Sequence, residues 1–340
     1  MSTRTYNIGV ACLVHDHIWR IIDGFAANPQ CRVVAFAEPA EDLQAQFLKK
    51  YPDTTCYTNW REMIDREKLD ILVVTTENCL TAEIAEYAAA RHVHLLIEKP
   101  MAATLEQAEQ ILQSVKQHGV KLLINWHPNW YPAMQTSFRL VREGAIGQVY
   151  DIRIRRAHLG PREVGCTRHF YEWLYDEKRN GAGAFVDLGC YGANICRLLL
   201  GYPKEVIGWR QRLVKNDITV DDNGTMLMIY DKALGRSEAS WTELPPFYDS
   251  IFLGSTGTIV TENNRVLISN DAKKQPQPID NDVLPPHKQN AANHFIYCLE
   301  NNCAPDDMCS PAISRDAMEI MTAGLISDRE KRRVALPLKQ

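Results

Sequence analysis

The first third of the chain alternates short apolar runs with longer amphipathic stretches. The apolar runs are continuous rather than alternating, and they cover 7–13, 32–37, 71–75, 94–97 and 121–124. A continuous run is typical of a strand that is buried on both faces, as in a parallel sheet. Strands separated by helix-length segments predict a Rossmann-like, doubly wound parallel sheet, and we assign this domain to residues 1–124.

Local signals support two of the intervening helices, over 80–91 and 105–117. Thr104 stands before the second of these helices, and Gln107 follows three positions later, which is the spacing of a capping box. Gly119 is then expected to end that helix, because glycine readily adopts the left-handed conformation found after helix ends.

After residue 124 the pattern changes to alternating polar and apolar positions. A hinge rich in tryptophan and proline comes first, and candidate strands follow at 149–155, 206–212, 224–230, 236–241 and 250–253. Alternation predicts an antiparallel or mixed sheet with one covered face. Helices are expected over about 12 residues before Gly201, over 290–301 and over 310–331. Residues 125–340 thus form a predicted α+β domain with a large, mostly antiparallel open sheet.

Composition excludes several classes of function. The 340 residues carry 38 basic and 42 acidic side chains, a net charge of −4, whereas a nucleic-acid-binding protein usually has a basic surplus. No apolar run approaches the roughly 20 residues that span a bilayer, and a strand follows the N-terminus directly, so neither a membrane segment nor a signal peptide is expected. The ten cysteines are scattered, without zinc-knuckle spacing, which favours a reducing, cytoplasmic location.

The turn after the first strand has an unusual composition for a nucleotide-binding domain. Such a turn normally contains three glycines, which let a pyrophosphate approach the backbone. Here Cys12, Val14 and His17 occupy those places. Asp16 could cap the following helix, and His15 or His17 could supply hydrogen bonds or charge to phosphates. Val14, His15 and His17 are therefore candidate cofactor ligands. Two histidines at this spacing are weak evidence for a metal, so no metal site is predicted.

Other candidate cofactor ligands stand where the second and third strands end. Glu38 occupies the position at which a carboxylate binds the adenosine ribose and repels a 2′-phosphate, which favours NAD over NADP, although NADP is possible. The alternative for Glu38 is an ordinary exposed glutamate. Thr75, Thr76 and Asn78 follow the third strand at the same edge, where they could bind the cofactor or simply form a turn.

The most reactive segment is Glu98-Lys99-Pro100, at the end of another buried strand. Oxidation of a secondary alcohol requires hydride transfer to nicotinamide and a group that accepts the hydroxyl proton. A desolvated lysine beside a cationic nicotinamide would have a lowered pKa and could exchange a proton near neutral pH. Glu98 would hold or tune Lys99. The alternative is a surface Glu–Lys pair.

Four segments together resemble the Gfo/Idh/MocA oxidoreductases, the family of glucose–fructose oxidoreductase and inositol 2-dehydrogenase. The run 94–100 is similar to the family's lysine signature, and 141–149 to its entry into the second domain. The segment 183–201, with Asp187-Leu188-Gly189-Cys190-Tyr191, is similar to its second catalytic motif, and 254–258 to a late glycine-rich turn. The resemblance spans nearly the whole chain.

The resemblance implies a catalytic trio of Lys99, Asp187 and Tyr191. Many relatives carry a histidine four positions after the aspartate, whereas this chain has Tyr191, as in the branch that contains glucose–fructose oxidoreductase and dimeric dihydrodiol dehydrogenase. A phenol could relay a proton, particularly if the Lys99 ammonium lowers its pKa. Asn194 extends the same helical face. The alternative for Tyr191 is an interface or core tyrosine.

The family also suggests where substrate and nicotinamide are held. Asn125, Trp126 and His127 begin the hinge near the position at which relatives contact both ligands. His158, Arg162, His169 and Trp173 could line the substrate pocket, although several could be structural. Arg155 and Arg156 are neighbours on a strand, so only one of them can face the pocket.

These features together predict an NAD(P)-dependent oxidoreductase that acts on a secondary hydroxyl of a sugar, cyclitol or related polyol. Its partners are a carbohydrate-like small molecule and copies of itself, because an uncovered face of the second sheet predicts a homodimer or homotetramer. Two alternatives stay open. A non-catalytic or regulatory binding protein is favoured by the missing glycines, and an oxidation–elimination glycosidase would use NAD transiently. Lys99 and Tyr191 argue against the first alternative.

Overall fold

The first sheet has six parallel strands, and its order β3-β2-β1-β4-β5-β6 is that of a Rossmann domain. A computed structural model describes residues 4–305 and 307–339. The predicted fold class is confirmed for this domain. The strands are β1 Tyr6–Ala11, β2 Cys31–Ala37, β3 Thr55–Tyr57, β4 Ile71–Val74, β5 His94–Glu98 and β6 Leu122–Asn125.

Helices cover both faces of this sheet, and the continuous apolar runs are buried as expected. Thr104 accepts a hydrogen bond from the Gln107 backbone N–H at 3.2 Å, which confirms the predicted cap, while the Gln107 side chain binds the Ala103 N–H rather than that of Thr104. Gly119 ends the helix at φ 64°. The helices are α1 Ile18–Ala26, α2 Glu41–Lys50, α3 Trp60–Arg66, α4 Thr81–Ala89 and α5 Leu105–His118.

The second sheet has nine strands in the order β14-β13-β12-β11-β7-β10-β9-β8-β15. Only the β7–β10 pair is parallel, so the prediction of a large, mostly antiparallel sheet is confirmed. Four of its strands were not predicted, and they lie in the last third of the sequence. The strands are β7 Val149–Ala157, β8 Glu205–Gln211, β9 Asn223–Ile229, β10 Leu234–Ser240, β11 Ser250–Gly254, β12 Gly257–Glu262, β13 Arg265–Ser269, β14 Gln277–Ile279 and β15 Val334–Ala335.

Helices pack on one face of this sheet only. Helix α10 lies against β7 and β10, and α12 lies against β8. Helix α11 packs on α1 of the first domain instead, and α12 also contacts α5, so the C-terminal helices tie the two domains together. The helices of this half are α6 Pro132–Arg142, α7 Arg168–Leu174, α8 Glu177–Asn180, α9 Ala184–Asp187, α10 Gly189–Leu200, α11 Ala291–Glu300 and α12 Pro311–Glu330.

A close contact between α10 and β10 positions the second catalytic motif. At Gly192 on α10, a Cβ would lie 2.3 Å from the Cβ of Ser237 on β10. Glycine therefore lets the helix backbone approach the strand more closely than any other residue could. The same helix carries Tyr191, and it thereby holds this side chain against the carboxyl edge of the first sheet.

Candidate active site

A cavity of about 780 Å³ lies between the two domains, at the carboxyl ends of the parallel strands. This is the edge at which doubly wound sheets bind ligands. Its wall includes Lys99 from β5 and both Asp187 and Tyr191 from the second domain. The three residues predicted to be catalytic thus come together, although 88 positions separate the lysine from the aspartate.

Lys99 and Asp187 form a buried ion pair. The Lys99 side chain is 3% exposed, and its Nζ donates to the Asp187 carboxylate at 2.9 Å and to the Asp187 backbone carbonyl at 3.0 Å. Burial disfavours the charged lysine, but the adjacent carboxylate outweighs this effect and raises the pKa of Lys99 well above its usual value. The predicted lowering of this pKa is therefore wrong for the protein as it stands, because the sequence does not show the counter-charge.

Asp187 is held ionised by its surroundings. Burial opposes its charge, but Lys99 more than offsets burial and lowers the pKa of the carboxyl. Its second oxygen accepts a hydrogen bond from the Trp241 indole at 3.3 Å. No local motif in the sequence marks Trp241, which comes from the end of β10, as part of the site.

Tyr191 is buried beside this pair. Lys99 Nζ lies 4.9 Å from the centre of the phenol ring, and the Trp126 ring packs edge-on at 5.6 Å. Burial raises the pKa of Tyr191 and outweighs the lowering by Lys99, so the sequence-based expectation of a lowered value is wrong. The phenol is a neutral hydroxyl at physiological pH. Asn194, on the same helix, is buried against Met308 and is not part of the cavity wall.

Glu98 lies behind Lys99 and faces a group of imidazoles. One carboxylate oxygen accepts a hydrogen bond from the Asn125 amide at 2.7 Å. The other lies 3.0 Å from His17 Nδ1 and 3.7 Å from His127 Nε2. Burial raises the pKa of Glu98 and lowers the pKa of both histidines to about 3, so the imidazoles are neutral.

Glu38 is fully buried, which rules out the alternative of an exposed glutamate. Its carboxylate accepts hydrogen bonds from the backbone N–H groups of Leu13 at 2.7 Å and Ala40 at 2.9 Å. Burial raises the pKa of this carboxyl. Glu38 therefore ties the glycine-poor turn to the end of β2, at the position predicted for the adenosine ribose.

Asp16 does not cap α1, contrary to the sequence-based expectation. Its carboxylate instead accepts hydrogen bonds from the Thr167 N–H at 2.7 Å and the Thr167 hydroxyl at 2.5 Å. Helix α1 begins without a side-chain cap. The His15 ring packs 4.3 Å from Phe170 and 5.7 Å from Trp173, measured between ring centres. Helix α7 of the second domain thus lies directly over the turn.

The predicted cofactor residues divide between the cavity and its surroundings. His17 and His127 line the cavity, whereas Val14 lies outside its wall. Thr75 and Thr76 are buried, and the Thr75 hydroxyl donates to the Cys12 carbonyl at 2.7 Å. Asn78 donates to the Asn180 side chain at 2.8 Å, across the two domains.

The predicted substrate residues divide in the same way. His158 lines the cavity, whereas His169 binds Asp42 on α2 at 2.8 Å and Trp173 packs behind the turn. The structure does not bring these last two to the cavity. Arg162 forms ion pairs with Glu163 and Asp217 instead.

Arg156 faces the cavity and Arg155 faces the other side of the sheet, as strand geometry required. Two further wall residues, Arg20 and Tyr248, were not singled out from the sequence. Arg20 follows His17 by three positions on α1, which is a signal that could have found it, because residues three apart share a helical face.

The residues present fit a nicotinamide cofactor at one end of the site. Lys99 and His127 lie on the cavity wall and would face a nicotinamide, and Glu38, at the end of β2, would stand beside the adenosine ribose. At the other end, α7 packs through Thr167 and Phe170 on the glycine-poor turn that follows β1. Helix α7 thus contacts the segment at which a Rossmann domain normally binds a pyrophosphate.

Comparisons with known proteins give the same picture. Residues 8–126 match the model of an oxidoreductase family with an NAD-binding Rossmann fold, and residues 134–260 match the GFO/IDH/MocA C-terminal domain. The D-apiose dehydrogenase of Paraburkholderia graminis is 24% identical over 339 residues, which covers 95% of this chain and 86% of that protein. The levoglucosan dehydrogenase of Pseudarthrobacter phenanthrenivorans is 27% identical over 175 residues, which is 52% of this chain and 44% of that enzyme.

Solved structures share the fold along its whole length. A levoglucosan dehydrogenase in complex with NADH and levoglucosan superimposes with a TM-score of 0.86 at 19% identity, covering 98% of this chain and all of that one. The aldose–aldose oxidoreductase of Caulobacter crescentus, complexed with glycerol, gives a TM-score of 0.84 at 21% identity and covers 98% of this chain. With both family models matched in order and the Lys99–Asp187 pair in place, the chain belongs to the Gfo/Idh/MocA family of NAD(P)-dependent oxidoreductases.

Proposed function

We propose that this protein transfers a hydride between a nicotinamide cofactor and a secondary hydroxyl of a sugar, cyclitol or related polyol. The Lys99–Asp187 ion pair at the cavity wall, beside the neutral phenol of Tyr191, is the observation that carries the proposal. The named dehydrogenases among its relatives act on such substrates, for example D-apiose, levoglucosan and scyllo-inositol.

When bound, the nicotinamide supplies or accepts the hydride. The protein's own residues manage the proton. Lys99 uses two of its three N–H bonds on Asp187, which leaves one for the substrate oxygen. Because the pKa of Lys99 is raised, its ammonium can donate a proton to a carbonyl oxygen as that carbon is reduced. Tyr191 offers a second hydroxyl at the same wall.

Glu38 supports a preference for NAD within this proposal. The buried carboxylate lies at the end of β2, where it would repel the 2′-phosphate of NADP. We expect NADH to bind at least about tenfold more tightly than NADPH, because a like charge next to a buried carboxylate costs more than about 1.4 kcal/mol. Glu38→Gln removes the charge and should reduce the difference in affinity between NADH and NADPH. Equal affinities in the wild type would contradict this assignment.

The test of the proposed function is a titration with NADH and NADPH, followed by a panel of sugars and polyols. Wild type and Lys99→Met are compared, with Lys116→Met on the exposed face of α5 as the matched control. We expect nucleotide binding in all three proteins and activity only in wild type and control. Absence of nucleotide binding would favour a regulatory binding protein, and release of an aglycone from a glycoside would favour oxidation and elimination.

We also propose a cytoplasmic location and a homo-oligomeric assembly. Among the described residues no helix is long and apolar enough to cross a membrane, and no disulfide joins any of the ten cysteines. The lack of disulfides supports our proposal of a cytoplasmic protein. The open face of the second sheet supports a homodimer or homotetramer.

A further inference from the structure

A group of side chains that takes no part in the proposed proton transfer gathers beside the glycine-poor turn. His15 and His17 come from the turn, and Glu98 ends β5. One potential ligand atom from each of these three residues lies within 4.8 Å of the other two. His127, at the start of the hinge, adds a third imidazole, whose ring centre lies 4.1 Å from that of His17.

The separations match those of a coordination sphere. Ligand atoms bound at about 2.0–2.1 Å to a tetrahedral zinc ion lie about 3.3 Å from one another. His17 Nδ1 is 3.0 Å and His127 Nε2 is 3.7 Å from the same oxygen of Glu98. One ligand atom each of His15, His17 and Glu98 lies within 4.8 Å of the other two, so small inward movements of the side chains would complete the sphere.

A second layer of hydrogen bonds fixes the orientation of Glu98. The Trp130 indole donates to the Asn125 side-chain oxygen at 2.8 Å, and the Asn125 amide donates to one oxygen of Glu98 at 2.7 Å. The other oxygen is directed toward the imidazoles. Carboxylates that ligate metals are commonly held in this way by outer partners.

The charges of the cluster also call for a cation. Imidazole nitrogens and carboxylate oxygens are both common ligands of transition metals. His127 Nε2 is buried without a hydrogen-bond partner in the described part of the chain. Lys99 pairs with Asp187 rather than with Glu98, so this buried carboxylate has no cationic side chain within ion-pair distance among residues 4–305 and 307–339.

We propose that His15, His17, His127 and Glu98 bind a divalent transition-metal ion, with Zn²⁺ as the best match to three imidazoles and one carboxylate. Four protein ligands close the coordination sphere, as in structural zinc sites. The ion would fix the turn, β5 and the hinge relative to one another, and it would balance the charge of Glu98. The site shares the cavity of the proposed function, because His17 and His127 line it, but it does not involve the Lys99–Asp187 pair, and metal binding is measured separately from nucleotide binding.

The test uses full-length protein carrying no histidine tag, stripped with a chelator and titrated with Zn²⁺ against a chromophoric competitor. We expect one equivalent per chain and a loss of affinity of about 100-fold or more in His17→Ala and in Glu98→Gln. His92→Ala, an exposed histidine on the same domain, should bind like wild type. Circular dichroism melts confirm that each variant is folded.

The ten cysteines could also bind zinc, and Co²⁺ substitution distinguishes a thiolate site from the proposed histidine and carboxylate site. A site of nitrogen and oxygen ligands gives d–d absorption without the intense thiolate charge-transfer band. Stoichiometric binding that persists in His17→Ala, a thiolate spectrum, or no binding by the wild type would each overturn the proposal. If the wild-type protein binds Zn²⁺ but not NADH, the result contradicts the proposed function and leaves the metal proposal standing.

A second inference concerns Arg156, which lies at the opposite wall of the cavity. Its side chain is 4% exposed, and its guanidinium donates to the backbone carbonyls of Arg155 and Asp249 at 2.8 Å and to the Ser250 hydroxyl at 3.1 Å. Among the described residues no carboxylate lies within ion-pair distance of it, and Asp249 contributes its carbonyl rather than its carboxylate. Arg20, at the exposed edge of the cavity, also has no such partner there.

A buried cation without a counter-charge is costly unless a ligand supplies one. Lys99 is neutralised by Asp187, so Arg156 is the unbalanced charge at the substrate side of the wall. Given the proposed function, we infer that the substrate is an anionic carbohydrate with a carboxylate, such as a uronic or aldonic acid. Two N–H bonds of the guanidinium, one on Nη2 and that of Nε, are not used within the described chain and are available to it.

The test compares paired ligands that differ only in the acid group, for example glucuronate against glucose and gluconate against glucitol. Thermal shift measures binding without turnover, and kcat/KM measures the reaction. We expect at least about a tenfold preference for the acid, lost mainly through KM in Arg156→Gln, while Arg153→Gln, an exposed arginine on the same strand, keeps it. An equal or better response to the neutral partner would overturn the inference. Acid binding without turnover would contradict only the proposed function.

Discussion

Protonation of single residues is set here by pairing rather than by burial alone. Lys99 and Tyr191 are both buried at the same cavity wall, yet only Lys99 is paired with a carboxylate. The Asp187 carboxylate keeps Lys99 charged, whereas Tyr191 has no charged hydrogen-bond partner in the part of the chain that the structure describes, and it stays neutral. The resting site therefore combines an ammonium donor and a neutral phenol, which suits protonation of a carbonyl oxygen.

This arrangement gives a prediction for the pH dependence of carbonyl reduction. Because the pKa of Lys99 lies above its usual 10.5, the ammonium persists over the whole range from about pH 6 to about pH 9, and kcat/KM for reduction should be flat there. His17 and His127, whose pKa values burial lowers to about 3, add no inflection near pH 6.5. A fall of the rate with an apparent pKa between about 7 and 9 would contradict this assignment.

Removal of the ammonium gives a second prediction at the same scale. Lys99→Met should lower kcat for reduction by about 10²–10⁴-fold, the usual contribution of a positioned acid, while the Kd for NADH changes little. Steady-state kinetics and fluorescence titration measure the two quantities. A similar loss of NADH affinity would indicate that Lys99 binds the cofactor rather than the reacting oxygen.

Two helices of the second domain act as elements of the site, because each places a group from one domain against the other. Helix α10 delivers Tyr191 through its close approach to β10 at Gly192. Helix α7 covers the phosphate turn through the Thr167–Asp16 hydrogen bonds. One contact is a close backbone packing, and the other is a pair of hydrogen bonds.

Gly192→Ala tests the packing constraint. Alanine has the higher helix propensity, but its Cβ would lie 2.3 Å from Ser237, so the clash should dominate and destabilise the protein by about 1–3 kcal/mol. The matched control is Gly189→Ala, where the nearest atoms lie 3.8 Å away and we expect little change or a slight gain. Chemical denaturation measures both. Equal free energies of unfolding for the wild type and Gly192→Ala would contradict this prediction, because they would show that the helix can shift away from Ser237 without loss of stability.

Thr167→Val tests whether α7 has to separate from the turn for the cofactor to bind. The substitution removes the hydroxyl bond to Asp16 and keeps the N–H bond, so opening should become easier by about 0.5–1.5 kcal/mol. We expect NADH to associate up to about tenfold faster in stopped-flow fluorescence. Glu172→Gln, which removes an exposed ion pair within α7, serves as the control. Unchanged association in Thr167→Val would mean that the helix does not gate entry.

On the scale of the whole molecule, the second sheet has one face covered by helices and one open face. Burial alternates along β8 and β9, so Ile207, Trp209 and Leu227 lie on the open side, with Trp209 41% exposed. Neighbouring apolar side chains on an open face are typical of a subunit interface. This agrees with the homo-oligomer predicted from the sequence, which stays a prediction.

Trp209→Glu combined with Leu227→Glu should therefore convert a dimer or tetramer to monomers in light scattering. Two charges brought against an identical apolar surface make its burial unfavourable. Val283→Glu, at an exposed loop residue, is the control and should leave the assembly unchanged. A monomeric wild type would contradict the prediction directly.

The sequence by itself predicted a doubly wound parallel sheet, a large and mostly antiparallel second sheet, and Lys99, Asp187 and Tyr191 as the catalytic residues. Hydrophobic periodicity and helix caps depend on residues that are close in sequence, and they can therefore be predicted from the sequence. The N-cap Thr104 and the C-cap Gly119 are examples. The short, polar edge strand β3 has no such periodicity, and it was missed.

Only the tertiary structure decided how these residues are charged and what surrounds them. The raised pKa of Lys99 depends on a carboxylate 88 positions away, and the role of Asp16 depends on Thr167 in the other domain. The cluster of His15, His17, His127 and Glu98 likewise joins three separate segments. Electrostatic energies depend on distances in space and on burial, and neither can be obtained from spacing along the chain.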